Sequence, residues 1–217
     1  MFTGLVQALG QVRALGSDRL RVSCNDDNAS LILTDLALGD SVAVDGICLT
    51  VMEVLPQGFI AAVSPETLGR TTLAQSQRSD RFVNLEPSLR VGSKLGGHFV
   101  MGHIDGIGYV DAIEQTSTSW EISFTTTSAI ARYIVPKGSI AVNGISLTIA
   151  DYNHERYWFK VAVIPLTYSE TNLSYLQLGD AVNLEADILG KYMEKLIPNS
   201  RHENDLTPAF LAENGYL

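Results

Sequence analysis

The sequence predicts an all-β chain: two homologous, small, closed antiparallel (Greek-key) β-barrels in tandem, followed by a C-terminal helix. Three observations carry this expectation. First, displacing the chain by 98 residues lays Ser41-Val-Ala-Val-Asp-Gly-Ile-Cys-Leu-Thr-Val51 on Ser139-Ile-Ala-Val-Asn-Gly-Ile-Ser-Leu-Thr-Ile149. Seven of these eleven positions are identical, where chance gives about one. Second, β-branched runs flank Asp45-Gly46 in one copy and Asn143-Gly144 in the other, and both dipeptides tolerate the positive φ of a two-residue hairpin turn. Third, short strand-like runs recur through both copies, as in a small closed barrel. Two copies are too few for a solenoid, so two cores that face each other are expected.

The repeat extends beyond the hairpin. Val63-Ser64-Pro65-Glu66-Thr67 meets Val163-Ile164-Pro165-Leu166-Thr167, and Val83-Asn84-Leu85-Glu86 meets Val182-Asn183-Leu184-Glu185. Gly4-Leu5-Val6 with Gly10-Gln11-Val12 matches Gly102-His103-Ile104 with Gly108-Tyr109-Val110. Further strands are predicted over 10–15, 20–24, 59–63, 82–85, 107–113, 120–125, 157–163 and 181–184. Ser128 is expected to cap a short helix through Ile134 that Pro136 stops, and 188–197 has apolar residues at helical spacing before Pro198. Asp187 stands where it can cap that helix. The organisation is therefore an N-terminal barrel over 1–97, a second over 98–187, a helix over 188–197 and a loose polar tail over 198–217.

Of the 217 residues 46 % are hydrophobic and 18 % charged, enough to bury a core in each copy. Lys and Arg number 15 against 24 Asp and Glu, a formal charge of −9. That balance argues against nucleic acid as a partner. The longest apolar runs fall far short of the roughly 20 residues of a membrane helix. The N-terminus lacks the basic start and apolar stretch of a secretory signal, so a cytoplasmic location is expected. Cys24 and Cys48 read as thiols. Walker and Gly-x-Gly-x-x-Gly phosphate loops are missing, which excludes nucleoside-triphosphate chemistry.

Three groups of residues are candidates for chemistry. Cys48 lies two residues past the hairpin turn and faces Ser146 in the repeat. A thiol is the better nucleophile, because a serine hydroxyl needs a base beside it; a small buried hydrophobe is the other reading of Cys48. The cluster His98-Phe-Val-Met-Gly102-His103-Ile104-Asp105-Gly106, preceded by Gly96-Gly97, puts two imidazoles on a backbone that other groups can approach closely. It has no third ligand at metal-site spacing, and satisfying hydrogen bonds at the crossover between copies would account for it equally well. Third come Ser41 and Ser139, Thr50 and Thr148, Thr67 and Thr167, Lys137 and Asp187. Hydroxyls beside hairpin amides suit a flat heterocycle, and Lys137 suits an anionic ring or polyol; a structural role for each strand hydroxyl stands beside this. Two pockets, one with a thiol, point to two similar ligands handled differently.

These motifs resemble the riboflavin synthase family of the single-polypeptide, duplicated-barrel type. The resemblance covers 1 to about 197 and rests on Met1-Phe-Thr-Gly-Leu-Val6, Asp45-Gly-Ile-Cys-Leu-Thr-Val51, Glu66-Thr67-Leu68, Val83-Asn-Leu-Glu86, Gly96-Gly-His-Phe-Val100, Lys137-Gly138, Gly144-Ile-Ser-Leu-Thr148 and Gly190-Lys191-Tyr192. It implies a dismutation in which one 6,7-dimethyl-8-ribityllumazine gives four carbons to another, yielding riboflavin and 5-amino-6-(D-ribitylamino)uracil. No external cofactor is implied. A homotrimer held by the C-terminal helix is, with the productive site between barrels of neighbouring subunits, as is functional coupling to lumazine synthase. A non-catalytic lumazine or flavin carrier is the alternative on the same fold.

Carried over by motif, the resemblance implies one ligand at Gly4, Leu5 and Val6, at Cys48, Leu49 and Thr50, and at Ala62, Val63, Ser64, Pro65, Glu66 and Thr67. The other would meet Gly102, His103 and Ile104, then Lys137, then Ser146, Leu147 and Thr148, and Ala162, Val163, Ile164, Pro165, Leu166 and Thr167. Cys48, Ser41 and His103 match positions tied to catalysis, His103 in proton transfer. Asn143 departs from the Asp that many members carry, so no carboxylate role is transferred there.

Overall fold

The computed structural model describes residues 1–24, 27–76, 81–197 and 208–216. Six strands build the first barrel: β1 (Ala8–Ala14), β2 (Arg19–Ser23), β3 (Ser41–Val44), β4 (Ile47–Leu55), β5 (Gly58–Ala62) and β6 (Phe82–Pro87). Around the wall they run β1-β2-β5-β4-β3-β6 and close. The second barrel uses β7 (Gly106–Gln115), β8 (Trp120–Thr125), β9 (Ser139–Val142), β10 (Ile145–Asn153), β11 (Trp158–Val163) and β12 (Ala181–Ala186) in the equivalent order. All pairings are antiparallel.

Alternation of side chains along each strand fills the two interiors. Leu20, Val22, Val42, Val44, Leu49, Phe59 and Leu85 are buried in the first, and Ile122, Phe124, Val142, Leu147, Phe159 and Leu184 in the second. The outward residues between them are the chemically interesting ones. Ser41 pairs with Thr50, and Thr50 with Ala62, so three outward positions form a row across β3, β4 and β5. The side chains of Leu49, Val63, Leu147 and Val163 pack in the barrel cores, which leaves their backbone to meet a ligand.

Both hairpins turn as the dipeptides demand, with φ of 47° at Asp45, 78° at Gly46, 45° at Asn143 and 78° at Gly144. The turns also meet tip to tip. A Cβ on Gly46 would lie 2.7 Å from the Gly144 amide nitrogen, and the reverse contact is as close. Around this point the barrels share a buried polar cluster. Asp45 Oδ1 accepts from Asn84 N–H (2.7 Å) and Asn172 Nδ2 (2.9 Å), while Asn143 Oδ1 accepts from Asn183 N–H (2.8 Å). Asn183 Nδ2 donates to the Asp45 carbonyl and Asn84 Nδ2 to that of Asn143. Beside it Phe2, Ala43, Val100 and Ala141 form an apolar seam.

Short helices depart from expectation. Residues 128–131 form a single turn with Thr127 at the N-cap and no side-chain cap bond, so Ser128 does not cap it. Helices Ala29–Leu33, Pro65–Arg70, Leu73–Ser76 and Pro165–Ser169 and the 3-10 turn Asn172–Tyr175 were not predicted; four to six residues are too few to show helical periodicity. The C-terminal helix spans Ile188–Leu196, with Asp187 Oδ1 accepting from Leu189 N–H at 3.0 Å. Lys191 bonds Asp105 (2.6 Å), and Glu194 meets Arg132 and Tyr133, which docks the helix on the second barrel. Within the tail, Pro208–Glu213 is helical rather than loose, while 198–207 and 217 lie outside the described residues. No helix among the described residues is long and apolar enough to cross a membrane.

Candidate active site

Two chain segments leave their own barrel and line the other. The Gly4 carbonyl accepts from Ser146 N–H (2.8 Å), and the Gly102 carbonyl accepts from Cys48 N–H (3.0 Å). Both glycines have positive φ, 76° and 78°, and a Cβ on either would fall 2.6 Å from Ser146 Cβ or Cys48 Cβ respectively. Glycine is required at both by the backbone and by the close approach.

A buried glutamate anchors each crossing segment. Glu86 accepts from Thr3 N–H (2.7 Å), Thr3 Oγ1 (2.7 Å) and Gly4 N–H (3.0 Å). Glu185 accepts from Met101 N–H (2.6 Å), Gly102 N–H (2.9 Å) and His103 N–H (3.1 Å). Burial pushes both carboxyls above the ordinary glutamate value, and the donated hydrogen bonds hold them partly back. Neither glutamate was singled out from the sequence; the repeated Val-Asn-Leu-Glu was the available signal.

The crossings produce two related pockets on the outer barrel faces. The first, about 360 Å³, is lined by Ile47, Cys48, Glu66, Thr67, Arg70, Thr71, Gly102, His103 and Ile104. The second, about 370 Å³, is lined by Gly4, Leu5, Val6, Ile145, Ser146, Leu166, Thr167, Glu170 and Thr171, with Gln7, Asn28 and Leu31 at its edge. The segments are thus joined the other way from the motif-by-motif expectation: Gly102 to Ile104 lie with Cys48, and Gly4 to Val6 with Ser146. Sequence order hides this, because each segment begins the copy whose barrel it does not complete.

The polar groups differ between matching positions. Cys48 is half-buried and unbridged, His103 is exposed, and Arg70 lies 3.3 Å from Glu66 in an exposed pair one helical turn apart. The second pocket has Ser146, Leu5, Glu170 and Leu166 at these places. Several hydroxyls hold the walls. Ser64 Oγ caps Pro65–Arg70 by accepting from Thr67 N–H (3.0 Å), and Thr71 and Thr171 donate to the carbonyls of Thr67 and Thr167. Ile164 takes the place of Ser64 and makes no cap bond.

Other predicted residues are not among the linings of these two pockets. Ser41 lines a separate cavity of about 620 Å³ with Asp35 and Arg90, whose side chains pair at 3.1 Å. Lys137 is exposed and lines neither pocket; it has φ 62° where Gly39 has 86° in the first copy. Thr50, Thr148, Ala62 and Ala162 are exposed on the barrel walls. His98 faces the second pocket's serine, with Nδ1 2.7 Å from Ser146 Oγ.

A fold of two such barrels, each completed by a segment of the other copy, defines a class of duplicated-barrel proteins, and comparison with known proteins identifies the class. Residues 3–88 and 101–187 each match the lumazine binding domain. The riboflavin synthase of Actinobacillus pleuropneumoniae is 39 % identical over 219 residues, covering 100 % of both chains. That of Mycobacterium tuberculosis H37Rv is 43 % identical over 202 residues, 91 % of this chain and 98 % of the relative. The crystal structure of LumP complexed with riboflavin superposes with a TM-score of 0.74 at 25 % identity, covering 86 % of this chain and 99 % of that one. The chain belongs to the riboflavin synthase family.

Proposed function

We propose that the two pockets each hold one 6,7-dimethyl-8-ribityllumazine and that the chain transfers a four-carbon unit between them, forming riboflavin and 5-amino-6-(D-ribitylamino)uracil. The observation that carries this reading is the pair of pockets: similar in size, built on the same frame and unequal in chemistry. A dismutation needs this arrangement, since both reactants are the same molecule but only one gives carbon. Donor and acceptor are one compound, so no second substrate is required. Holding two flat rings together removes the entropy of a bimolecular encounter, worth up to roughly 7 to 11 kcal/mol. The reaction starts with loss of a proton from the ring C7 methyl, whose electron pair the heterocycle delocalises, so a base is required. Cys48, beside His103 and Thr67, serves as nucleophile or water activator in the first pocket, with His103 moving protons.

Both pockets open outward on a single chain, so a facing pair is supplied by neighbouring subunits. The C-terminal helix supports a homotrimer: Leu189, Tyr192, Met193, Leu196 and Ile197 are exposed along one stripe, Leu196 to 74 %. Deleting the chain from Ile188 should give monomers with two intact barrels and little riboflavin formation; trimers in sedimentation would remove the helix from assembly. Incubating the purified chain with the lumazine tests the function itself. Riboflavin should appear with two lumazines consumed for each, whereas tight binding without turnover would select the carrier.

A further inference from the structure

The difference between the pockets extends one residue behind their linings. His98, on the link between barrels, is 8 % exposed, and its backbone N–H donates to the Thr3 carbonyl at 3.1 Å. Its Nδ1 is 2.7 Å from Ser146 Oγ, while its buried Nε2 has no partner among the described residues. Gly97 permits the approach: a Cβ there would lie 2.1 Å from the Thr3 carbonyl oxygen and 2.9 Å from Ser146 Oγ. Cys48, the counterpart of Ser146, packs instead against the apolar seam of Phe2, Ala43 and Val100. The inequality has a chemical sense. A thiol is intrinsically the stronger nucleophile and acid, whereas a serine hydroxyl transfers protons only with a base against it.

We infer that His98 is a positioning base for the second pocket, taking the Ser146 hydroxyl proton as Ser146 Oγ takes a proton from the C7 methyl of the lumazine bound there. This rests on the proposed function above. The C–H bond of the methyl breaks and its electron pair passes into the heterocycle. The proton goes to Oγ as the original O–H bond breaks toward Nδ1, leaving an imidazolium and an intact serine; return of the proton later in the cycle restores both. The balance needs no oxidant or further reactant. Burial keeps the imidazole below its ordinary pKa and therefore neutral at the outset, opposed by the Asp187 carboxylate. Among the described residues Nε2 has no partner, so none of them holds the ring in the opposite tautomer.

The test uses the full chain and His98→Asn, whose amide keeps a hydrogen bond at the Nδ1 position without basicity. Three readouts apply: binding of a lumazine analogue lacking the C7 methyl, exchange of the C7-methyl protons in D2O by NMR, and riboflavin formation. His98→Asn should bind the analogue within about threefold of the parent yet lose about 10²-fold in exchange and kcat, with KM little changed. In a Ser146→Cys background, where the thiol needs less help, the same substitution should cost at least tenfold less. Equal losses in both backgrounds, or exchange at the parent rate in His98→Asn, would overturn the role of His98. A parent chain that exchanges methyl protons but makes no riboflavin would overturn the dismutation reading instead.

Discussion

The two pockets share a frame down to individual hydrogen bonds and differ in almost every group that could react. In both, a glycine carbonyl accepts the amide of the hairpin residue, a buried glutamate holds the crossing segment, and a threonine closes the short helix. Cys48, His103, Arg70 and Glu66 then stand against Ser146, Leu5, Glu170 and Leu166. The copies have kept what positions a ring and parted in what acts on it. Such divergence is what one binding scaffold needs to handle two identical molecules unequally.

The comparison breaks hardest at Cys48. Cys48→Ala should lower turnover by about a hundred- to ten-thousandfold in steady-state assays while ligand still binds. Cys48→Ser, which makes the copies alike, should retain part of the activity. Unchanged turnover in Cys48→Ala would reduce the thiol to packing.

The shared frame breaks at the glutamates. Glu185→Ala strips one buried and two part-buried donors of their acceptor, and leaving a buried donor unmet costs about 1–3 kcal/mol before water enters. Calorimetry should show a melting temperature lower by several degrees, and turnover should fall at least tenfold. Glu86→Ala should do the same through Thr3 and Gly4; a large effect from one alone would show that the copies do not share an anchor. Arg70→Gln is milder, because the Arg70–Glu66 pair is exposed and screened. Ligand affinity should weaken less than tenfold, in the first pocket only, as read by fluorescence titration.

The smallest expected effect on activity comes from the interface between barrels. Asp45 occupies the place of Asn143 and is fully buried; burial pushes its carboxyl from 3.8 up to about 7, against hydrogen bonds from Asn84 and Asn172 and the Arg81 charge. The folded state therefore holds a proton there that the unfolded chain has released. Asp45 thus costs stability as pH rises from about 4 to 7, the penalty being complete above that range. Asp45→Asn, which keeps the acceptor, should melt higher than the parent at pH 8, melt the same at pH 4, and turn over normally. Equal melting at both pH values would show that Asp45 titrates normally.

The sequence made the architecture legible because the repeat and the two hairpin dipeptides are local signals. Strand ends extended by a residue or two where ladder bonds to a neighbour continued, as in Phe82–Pro87. Pocket membership was less legible. Cys48, Glu66, Thr67 and His103 do come together, but the exchange of Gly4 and Gly102 between barrels is a tertiary fact that in-register comparison cannot show. Arg70, Glu170, Glu86 and Glu185 were missed because single charged residues on short helices or strand ends look solvated until burial is known. His98 was noticed, and its bond to Ser146 joins residues 48 apart on different elements.

Equilibrium titration with a lumazine analogue lacking the C7 methyl tests the central claim most directly. Two unequal pockets on one frame should bind two molecules per chain in distinguishable phases, with Arg70→Gln shifting one phase and Glu170→Gln the other. One molecule per chain, or a single affinity that both substitutions move together, would contradict it.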